Sequence, residues 1–313
     1  MRKCRMNPED TTPPRPVQSS FYGTLFFWII YIRSDGIKIP HFFLSIIHTN
    51  VRYRKEEPIQ ETAIYTNHLT KTFSGKEILK NCNISVKKGT IYGLLGKNGA
   101  GKTTLFKMLL SLLKPTAGTA SVLGRDSVKN RIQILRHTGS LIGTPVFYEH
   151  LSAADNLRLH LAYMGLDDTE AEPALDRVGL SGTGPQPVGE FSLGMRERLA
   201  IARSIVHRPE ILILDEPTNG LDPAGIREIR FLFRQLAEES GMTILLSSHF
   251  LSEILQNTDR IGVLAEGRIA LEEDTARIRA RHPNDLEDYL ITVMEAATSY
   301  EPQNDHYKRR NSQ

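Results

Sequence analysis

A chain of 313 residues with 40% apolar content is long enough for one large or two ordinary domains and can bury a large core. Its formal net charge of +3 is too small to argue for a nucleic-acid partner, and the only cysteines, Cys4 and Cys82, build neither a disulfide framework nor a metal-ligand cluster, which fits a reducing compartment. No apolar run reaches the roughly 18 residues of a spanning helix, so the chain is not expected to cross a membrane by itself.

The first 58 residues differ from all that follow. A Pro-rich polar stretch, 7–20, precedes two apolar patches, 21–32 and 37–47, broken by Arg33, Ser34, Asp35 and Gly36. Each patch has the length of a core or interfacial element, so a membrane-surface anchor is one reading. A secretory signal fits poorly, because no small-residue cleavage site is evident. An over-called reading frame is a third reading, since Arg54-Lys55-Glu56-Glu57 is encoded by purine-rich codons resembling a bacterial ribosome-binding site. That reading needs a non-standard start, because no Met lies between Met6 and Met108. An intact N-terminus at Met1, seen by mass spectrometry of the native protein, contradicts it.

From Thr62 the chain becomes regular. Residues 62–69 and 78–86 alternate apolar and polar positions as half-buried strands do, with Ser74-Gly75-Lys76 as the turn between them. The apolar stretch 90–95 leads into Gly96-Lys97-Asn98-Gly99-Ala100-Gly101-Lys102-Thr103-Thr104, and the helix-like run 105–113 follows. A strand, a Gly-rich loop and a helix in this order make a phosphate-binding loop and mark a nucleoside-triphosphate protein. Gly96, Gly99 and Gly101 let the backbone wrap closely around phosphates, and successive amides and the helix N-terminus face the negative charge. Lys102 is expected to neutralise the β- and γ-phosphates, and the Thr103 hydroxyl to hold Mg2+.

Beyond the loop, strand-like 138–142, 211–215, 243–247 and 260–264 are separated by helical segments, among them 153–164, 195–207 and 224–239. This alternation implies an α/β protein, a parallel sheet with helices on both faces. Residues 169–189 show helical periodicity ending in a Gly/Pro-rich loop, which suggests a small helical subdomain inserted between the halves of the sheet. Ile211-Leu212-Ile213-Leu214 followed by Asp215-Glu216 is a buried strand ending in adjacent carboxylates, the arrangement of a Walker B element. Strand alternation sends them in different directions. Asp215 is expected to hold the metal through water, and Glu216 to be the base that orients the attacking water.

Glu216-Pro217-Thr218-Asn219-Gly220-Leu221-Asp222-Pro223 resembles the Walker B extension and D-loop of ABC-type ATPases. Phe191-Ser192-Leu193-Gly194-Met195-Arg196 sits where that family carries its signature, usually Leu-Ser-Gly-Gly-Gln, ahead of a helix. Ser192 can cap this helix, so its hydroxyl, the Gly194 amide and the helix dipole form an anion site. The resemblance implies that this site closes on the γ-phosphate held by the opposite subunit, in a head-to-tail homodimer with two composite ATP sites, Asp222 of the D-loop among the contributing residues. Ser248-His249, after a buried strand and with His249 33 residues beyond Glu216, resembles the switch histidine that contacts the γ-phosphate and helps position water. Phe73, 23 residues before Gly96, matches the aromatic that stacks on adenine; a core-facing strand aromatic is the other reading.

The resemblance covers roughly 59–294 and implies a P-loop NTPase of the ABC type, with an antiparallel β subdomain and a helical subdomain. It divides the chain into an N-terminal extension (1–58), an ABC ATPase domain (59–272, helical subdomain about 145–208), a C-terminal helical segment (273–301) and a disordered polar tail (302–313). The implied ligands are ATP, held by Phe73, Gly96 through Thr104, Ser192, Gly194 and Asp222, and Mg2+, held by Thr103 and Asp215. Leu193 and Met195 depart from the usual signature. Phe-Ser-x-Gly-Met before an Arg-rich helix is similar to the branch serving bacitracin and lantibiotic self-protection exporters. Gly143 stands where most relatives carry Gln and that branch often carries Glu, and Gly143 has no side chain to touch Mg2+ or water.

The implied function is the ATP-binding and hydrolysing subunit of an ABC transporter, powering a separate transmembrane permease from the cytoplasmic face of the membrane and exporting a peptide antibiotic or amphiphilic toxin. Residues 145–151, apolar and aromatic, suit a groove for the permease's coupling helix, and a buried loop is the other reading. The alternative is a soluble ABC ATPase acting on ribosomes or nucleic acid, although such members carry two domains or long coiled-coil insertions that this chain lacks. A third reading, motivated by Gly143, is a regulatory ATP binder without useful turnover; Glu216 and His249 argue against it.

Overall fold

The computed structural model describes residues 62–296; the segments 1–58 and 302–313 lie outside the described residues. β1 (Thr62–Phe73) meets β2 (Lys76–Cys82) through Ser74-Gly75, whose φ angles of 47° and 84° match the twist of a hairpin. The single strand expected over 78–86 is instead two, because β3 (Ser85–Lys87) pairs separately with β1. Thr66 makes the break. Its buried hydroxyl donates to the Cys82 carbonyl at 3.0 Å and accepts from the Ile84 amide at 2.9 Å, satisfying backbone groups that a continuous ladder would have used.

β4 (Ile91–Leu95) leaves this sheet for a second one, and α1 (Lys102–Leu109) follows it. The helix expected over 105–113 starts earlier and stops at Leu109, where Ser111 takes a φ of 59° and the Leu112 and Leu113 amides turn back onto the Lys107 carbonyl. β5 (Ala117–Val122) and β6 (Arg125–Asp126) then complete a five-stranded antiparallel sheet ordered β2-β1-β5-β6, with β3 off that path and paired to β1. After α2 (Arg131–Arg136) and β7 (Thr138–Leu141), residues 145–208 hold α3 (Ala153–Met164), α4 (Ala171–Arg177) and α5 (Leu193–Ile205). The periodicity of 169–189 persists only through α4; the remainder is loop with one 3-10 turn, Val188–Glu190.

The last third adds β8 (Ile211–Asp215), α6 (Pro223–Ser240), β9 (Thr243–Ser248), α7 (Leu251–Asn257), β10 (Arg260–Ala265), β11 (Arg268–Asp274), α8 (Thr275–Arg281) and α9 (Leu286–Ala296). The second sheet has the order β11-β10-β4-β9-β8-β7 and is parallel except at its β10-β11 edge. Its central strands β10, β4, β9 and β8 are buried almost throughout because both faces are covered, while the edge strands β7 and β11 carry more polar residues. In β8, Leu212 and Leu214 join one core with α3, α5 and α6, while Ile211 and Ile213 join another with α1 and the antiparallel strands.

This topology places the candidate residues together. The Gly-rich loop, the Asp215-Glu216 pair and the Ser248-His249 pair all follow the carboxyl ends of the adjacent strands β4, β8 and β9. Cα register sets Asp215 opposite Ser247 and Leu95 opposite Ser248. In open parallel sheets that edge is where ligands bind.

Candidate active site

The Gly-rich loop packs tightly against its own scaffold. A Cβ at Gly96 would lie 2.6 Å from the Leu264 carbonyl oxygen, and one at Gly101, where φ is 112°, would lie 2.8 Å from Leu79 Cδ2. Glycine is therefore required at both positions by packing, as well as by any phosphate outside. Lys102, 5% exposed, folds back over the loop and donates from Nζ to the Gly96 carbonyl at 2.6 Å.

Asp215 and Glu216 do diverge. Asp215 Oδ2 accepts from the Thr103 hydroxyl at 2.5 Å, and Oδ1 accepts from the Ser247 hydroxyl at 2.6 Å. Ser247 Oγ in turn accepts from the Glu216 amide at 3.0 Å, where the chain turns with a φ of 53° at Glu216. The Glu216 side chain points elsewhere: Oε1 lies 3.3 Å from Lys102 Nζ, while Oε2 accepts from Asn219 Nδ2 at 2.7 Å and meets His249 Nδ1 at 2.9 Å. Burial pushes this carboxyl up, but the Asn219 hydrogen bond and the charges of Lys102 and His249 outweigh it, and the net result lies below the ordinary value of 4.5. Glu216 is thus ionised at neutral pH and can accept a proton.

Removing one of those groups gives a test. The ionised form is the competent one, so an acid limb due to Glu216 falls below pH 4.5 in the native chain. Asn219→Ala removes the lowering hydrogen bond and should move that limb upward in the ligand-free chain, read from kcat/KM against pH or from the NMR titration of the carboxyl.

These groups line a cavity of about 770 Å³, in the size range of small-ligand sites. Its wall includes Lys97 through Gly99, Gly101 through Thr104, Asp215 and Glu216. Phe73 also lines it and is 44% exposed, so the core-facing reading of this aromatic does not hold. Gly96 and Ala100 lie behind this wall, and His249 stands one contact behind Glu216. Sequence reasoning missed Ser247, Asn219 and Glu197. Ser247 offered a signal, a hydroxyl buried in an otherwise apolar strand, which must find a partner. Glu197, on α5, reaches the cavity, and burial pushes its carboxyl up.

Ser192 caps α5, its hydroxyl accepting from the Met195 amide at 3.3 Å, and Asp222 caps α6, accepting from the Gly225 amide at 3.0 Å. Ser192, Gly194 and Asp222 do not line the cavity of their own chain. Leu193 lies across Gly220, where an added Cβ would come within 2.8 Å of Leu193 Cδ2, so the two capped loops touch within one subunit.

The family model for ABC transporters matches residues 79–219. The uncharacterised ABC transporter ATP-binding protein YcbN of Bacillus subtilis (strain 168) is 49% identical over 230 residues, 73% of this chain and 74% of that protein. The chain belongs to the ABC transporter ATP-binding family. The bacitracin transport ATP-binding protein BcrA of Bacillus licheniformis is 46% identical over 230 residues, 73% of this chain and 75% of BcrA. The lantibiotic transport ATP-binding protein SrtF of Streptococcus pyogenes is 44% identical over 207 residues, 66% of this chain and 89% of SrtF. Among solved structures, the dimeric post-hydrolysis state of an ATP-binding cassette bound to ADP and Pi matches with a TM-score of 0.63 and 25% identity, covering 68% of this chain and 98% of that one. CbiO1 of Clostridium perfringens, part of the ABC transporter complex cbiONQ, matches with a TM-score of 0.63 and 28% identity over 74% of this chain and 98% of its own. The expected fold and the likeness to the bacitracin and lantibiotic branch are both borne out. This ABC protein is an ATP-binding subunit and an ATPase.

Within the ABC fold, the Arg-rich helix α5 is stapled to the segment after Gly143. Arg196 forms a bidentate pair with Glu149 at 2.6 and 2.7 Å, and Arg203 donates to the Val146 carbonyl at 2.8 Å while its guanidinium lies 4.6 Å from the centre of the Phe147 ring. Val146 is 78% exposed and Tyr163 73% exposed, and the Tyr148 and Tyr163 hydroxyls meet at 3.2 Å. The segment is therefore divided: Phe147 is buried under the arginines, and Val146 and Tyr148 face outward. Gly143 lines the cavity at a φ of 69°, and a Cβ there meets nothing within 4 Å.

The donors fit a magnesium ion. Thr103 Oγ1 and Asp215 Oδ2 stand 2.5 Å apart, hydroxyl and carboxylate oxygens of the hard kind that this cation takes beside phosphates.

Proposed function

We propose that this chain hydrolyses ATP in head-to-tail homodimers to drive a separate membrane permease that exports a peptide antibiotic or amphiphilic toxin. The reading is carried by one observation: Lys102, Asn219 and His249 converge on the Glu216 carboxylate at the edge of the cavity formed by the Gly-rich loop. The relatives BcrA and SrtF, named for bacitracin and lantibiotic transport, support the substrate class. The membership of cbiO1 in cbiONQ supports a subunit working within a larger complex.

In this reading Phe73 stacks on adenine, and the amides from Gly96 to Thr104 hold the phosphates. Lys102 turns from Gly96 and Glu216 to the β- and γ-phosphates. Thr103 and Asp215 would hold Mg2+, and the chemistry that ion would supply there is neutralisation of phosphate charge. Glu216 takes a proton from a water that attacks the γ-phosphorus; the bond to the β-bridging oxygen breaks, and ADP leaves with its new charge facing Lys102. His249 holds the carboxylate and the γ-phosphate in line. Ser192 and Gly194 of one subunit, with Asp222, close the site of the other, which accounts for their absence from their own cavity. The exposed Val146, Tyr148 and Tyr163 form the surface on which the permease docks at the cytoplasmic face, and the Arg196 and Arg203 contacts carry its movement to the signature helix.

Two tests follow. Light scattering should show the mass doubling in MgATP and halving after hydrolysis; a monomer at every nucleotide state contradicts the composite site. Gly143→Gln or Gly143→Glu should change turnover more than ATP affinity, because the side chain has room toward the cavity and bears on water rather than on the phosphate loop. The left-handed backbone there costs about 1–2 kcal/mol for any residue with a Cβ, so melting temperature should fall slightly in both variants. An unchanged rate shows that the position is silent.

A further inference from the structure

Glu253 on α7 is a buried carboxylate, 7% exposed, and both its oxygens are taken by hydroxyls. Oε1 accepts from Thr218, and Oε2 accepts from Ser248 at 2.6 Å. An apolar residue could fill that space without the penalty of burying a carboxylate, so the group is explained by what it holds.

What it holds is the base. Thr218 immediately precedes Asn219, which donates to Glu216 Oε2, and Ser248 immediately precedes His249, whose Nδ1 meets the same oxygen. Ser248 Oγ also accepts from the Phe250 amide at 2.9 Å, closing the turn that carries His249. A single carboxylate thus spans the two chain segments that converge on one atom of Glu216. The Thr218 segment continues to Gly220, which lies under Leu193, so the same link reaches the signature loop.

We propose that Glu253 is a positioning residue: by tying Thr218 to Ser248 it sets the separation of Asn219 and His249, and through them the orientation of Glu216 toward the attacking water. The inference rests on Glu216 as the base. Glu253 touches no reacting group and acts only through the two hydroxyls.

The experiment compares full-length Glu253→Ala, Glu253→Gln and Thr218→Val with the native chain, each checked for folding by melting temperature. Glu253→Ala leaves two buried hydroxyls without their acceptor, and kcat should fall about tenfold to a hundredfold while ATP affinity stays within about twofold. Glu253→Gln keeps a carbonyl for one hydroxyl and presents an amide to which the other can turn, so it should recover most of the loss. Thr218→Val conserves shape, removes one hydrogen bond and gives a smaller loss of the same kind; it serves if Glu253→Ala does not fold. A purely structural role would lower the melting temperature and the fraction of active protein, leave kcat per active site native, and gain nothing particular from Glu253→Gln. Turnover retained in Glu216→Gln overturns the base assignment itself. With that variant inactive, a native kcat per active site in folded Thr218→Val and Glu253→Ala overturns the positioning role alone.

Discussion

Glu216→Gln should bind ATP as tightly as the native chain, lose turnover by a factor of about 10² to 10⁴, and accumulate as a dimer in MgATP. The amide can still accept from Asn219 through its carbonyl, so the geometry around Oε2 survives. It cannot take a proton from water, and it no longer sets a negative charge 3.3 Å from Lys102. Binding therefore has no reason to weaken, and the step that separates the subunits is blocked. Rapid quench of a single turnover, beside light scattering, reads both effects; a fully active variant overturns the assignment of the base.

Lys102→Ala acts at the other end of the same contact and should abolish binding. Charge-assisted hydrogen bonds contribute about 1.5–3 kcal/mol each, so losing those to two phosphates weakens affinity by roughly a hundredfold or more. Lys102 is also the cation facing Glu216 and the donor to the Gly96 carbonyl, and its removal leaves negative groups facing negative phosphates. Titration with a fluorescent ATP analogue, at a melting temperature near native, is the check. Micromolar affinity in this variant removes Lys102 from the phosphate site. The pair separates two functions: Glu216→Gln traps the nucleotide, and Lys102→Ala never takes it up.

The parts of the fold that were legible in the sequence are those where one physical signal dominates. The strand 211–215 is apolar on both faces and matches β8 to the residue, and the helix 153–164 matches α3, bounded by the Ser152 cap and by Gly165 at a φ of 73°. The parts missed are those set by partners distant in sequence. β5 exists because it pairs with β1, its own run Ala-Gly-Thr-Ala-Ser-Val being too small and polar to declare a strand. β11 carries Glu272, Glu273 and Asp274, and pairs at the sheet edge where Arg260 meets Glu272 and Asp274. The division of 78–86 into two strands depends on one hydroxyl, Thr66, 16 residues away from the carbonyl it binds.

The same distinction holds at the candidate site. Lys102, Thr103, Asp215, Glu216 and His249 were named from loop and strand patterns, and they stand in two contacting sets, Thr103 with Asp215 and Glu216 with Lys102 and His249. Ser247, Asn219 and Glu253 were not, because each works through a hydrogen bond whose partner is 31 to 35 positions away or lies across a turn. Pattern reveals which residues meet the ligand; only the packed sheet reveals which residues hold those in place.

The central claim, an ATP-driven motor for a separate permease, is tested most directly by capturing the chain from gently solubilised native membranes and identifying what co-purifies by mass spectrometry. A polytopic membrane protein in stoichiometric amount is the expected result. Recovery in the soluble fraction together with ribosomes or nucleic acid would contradict it.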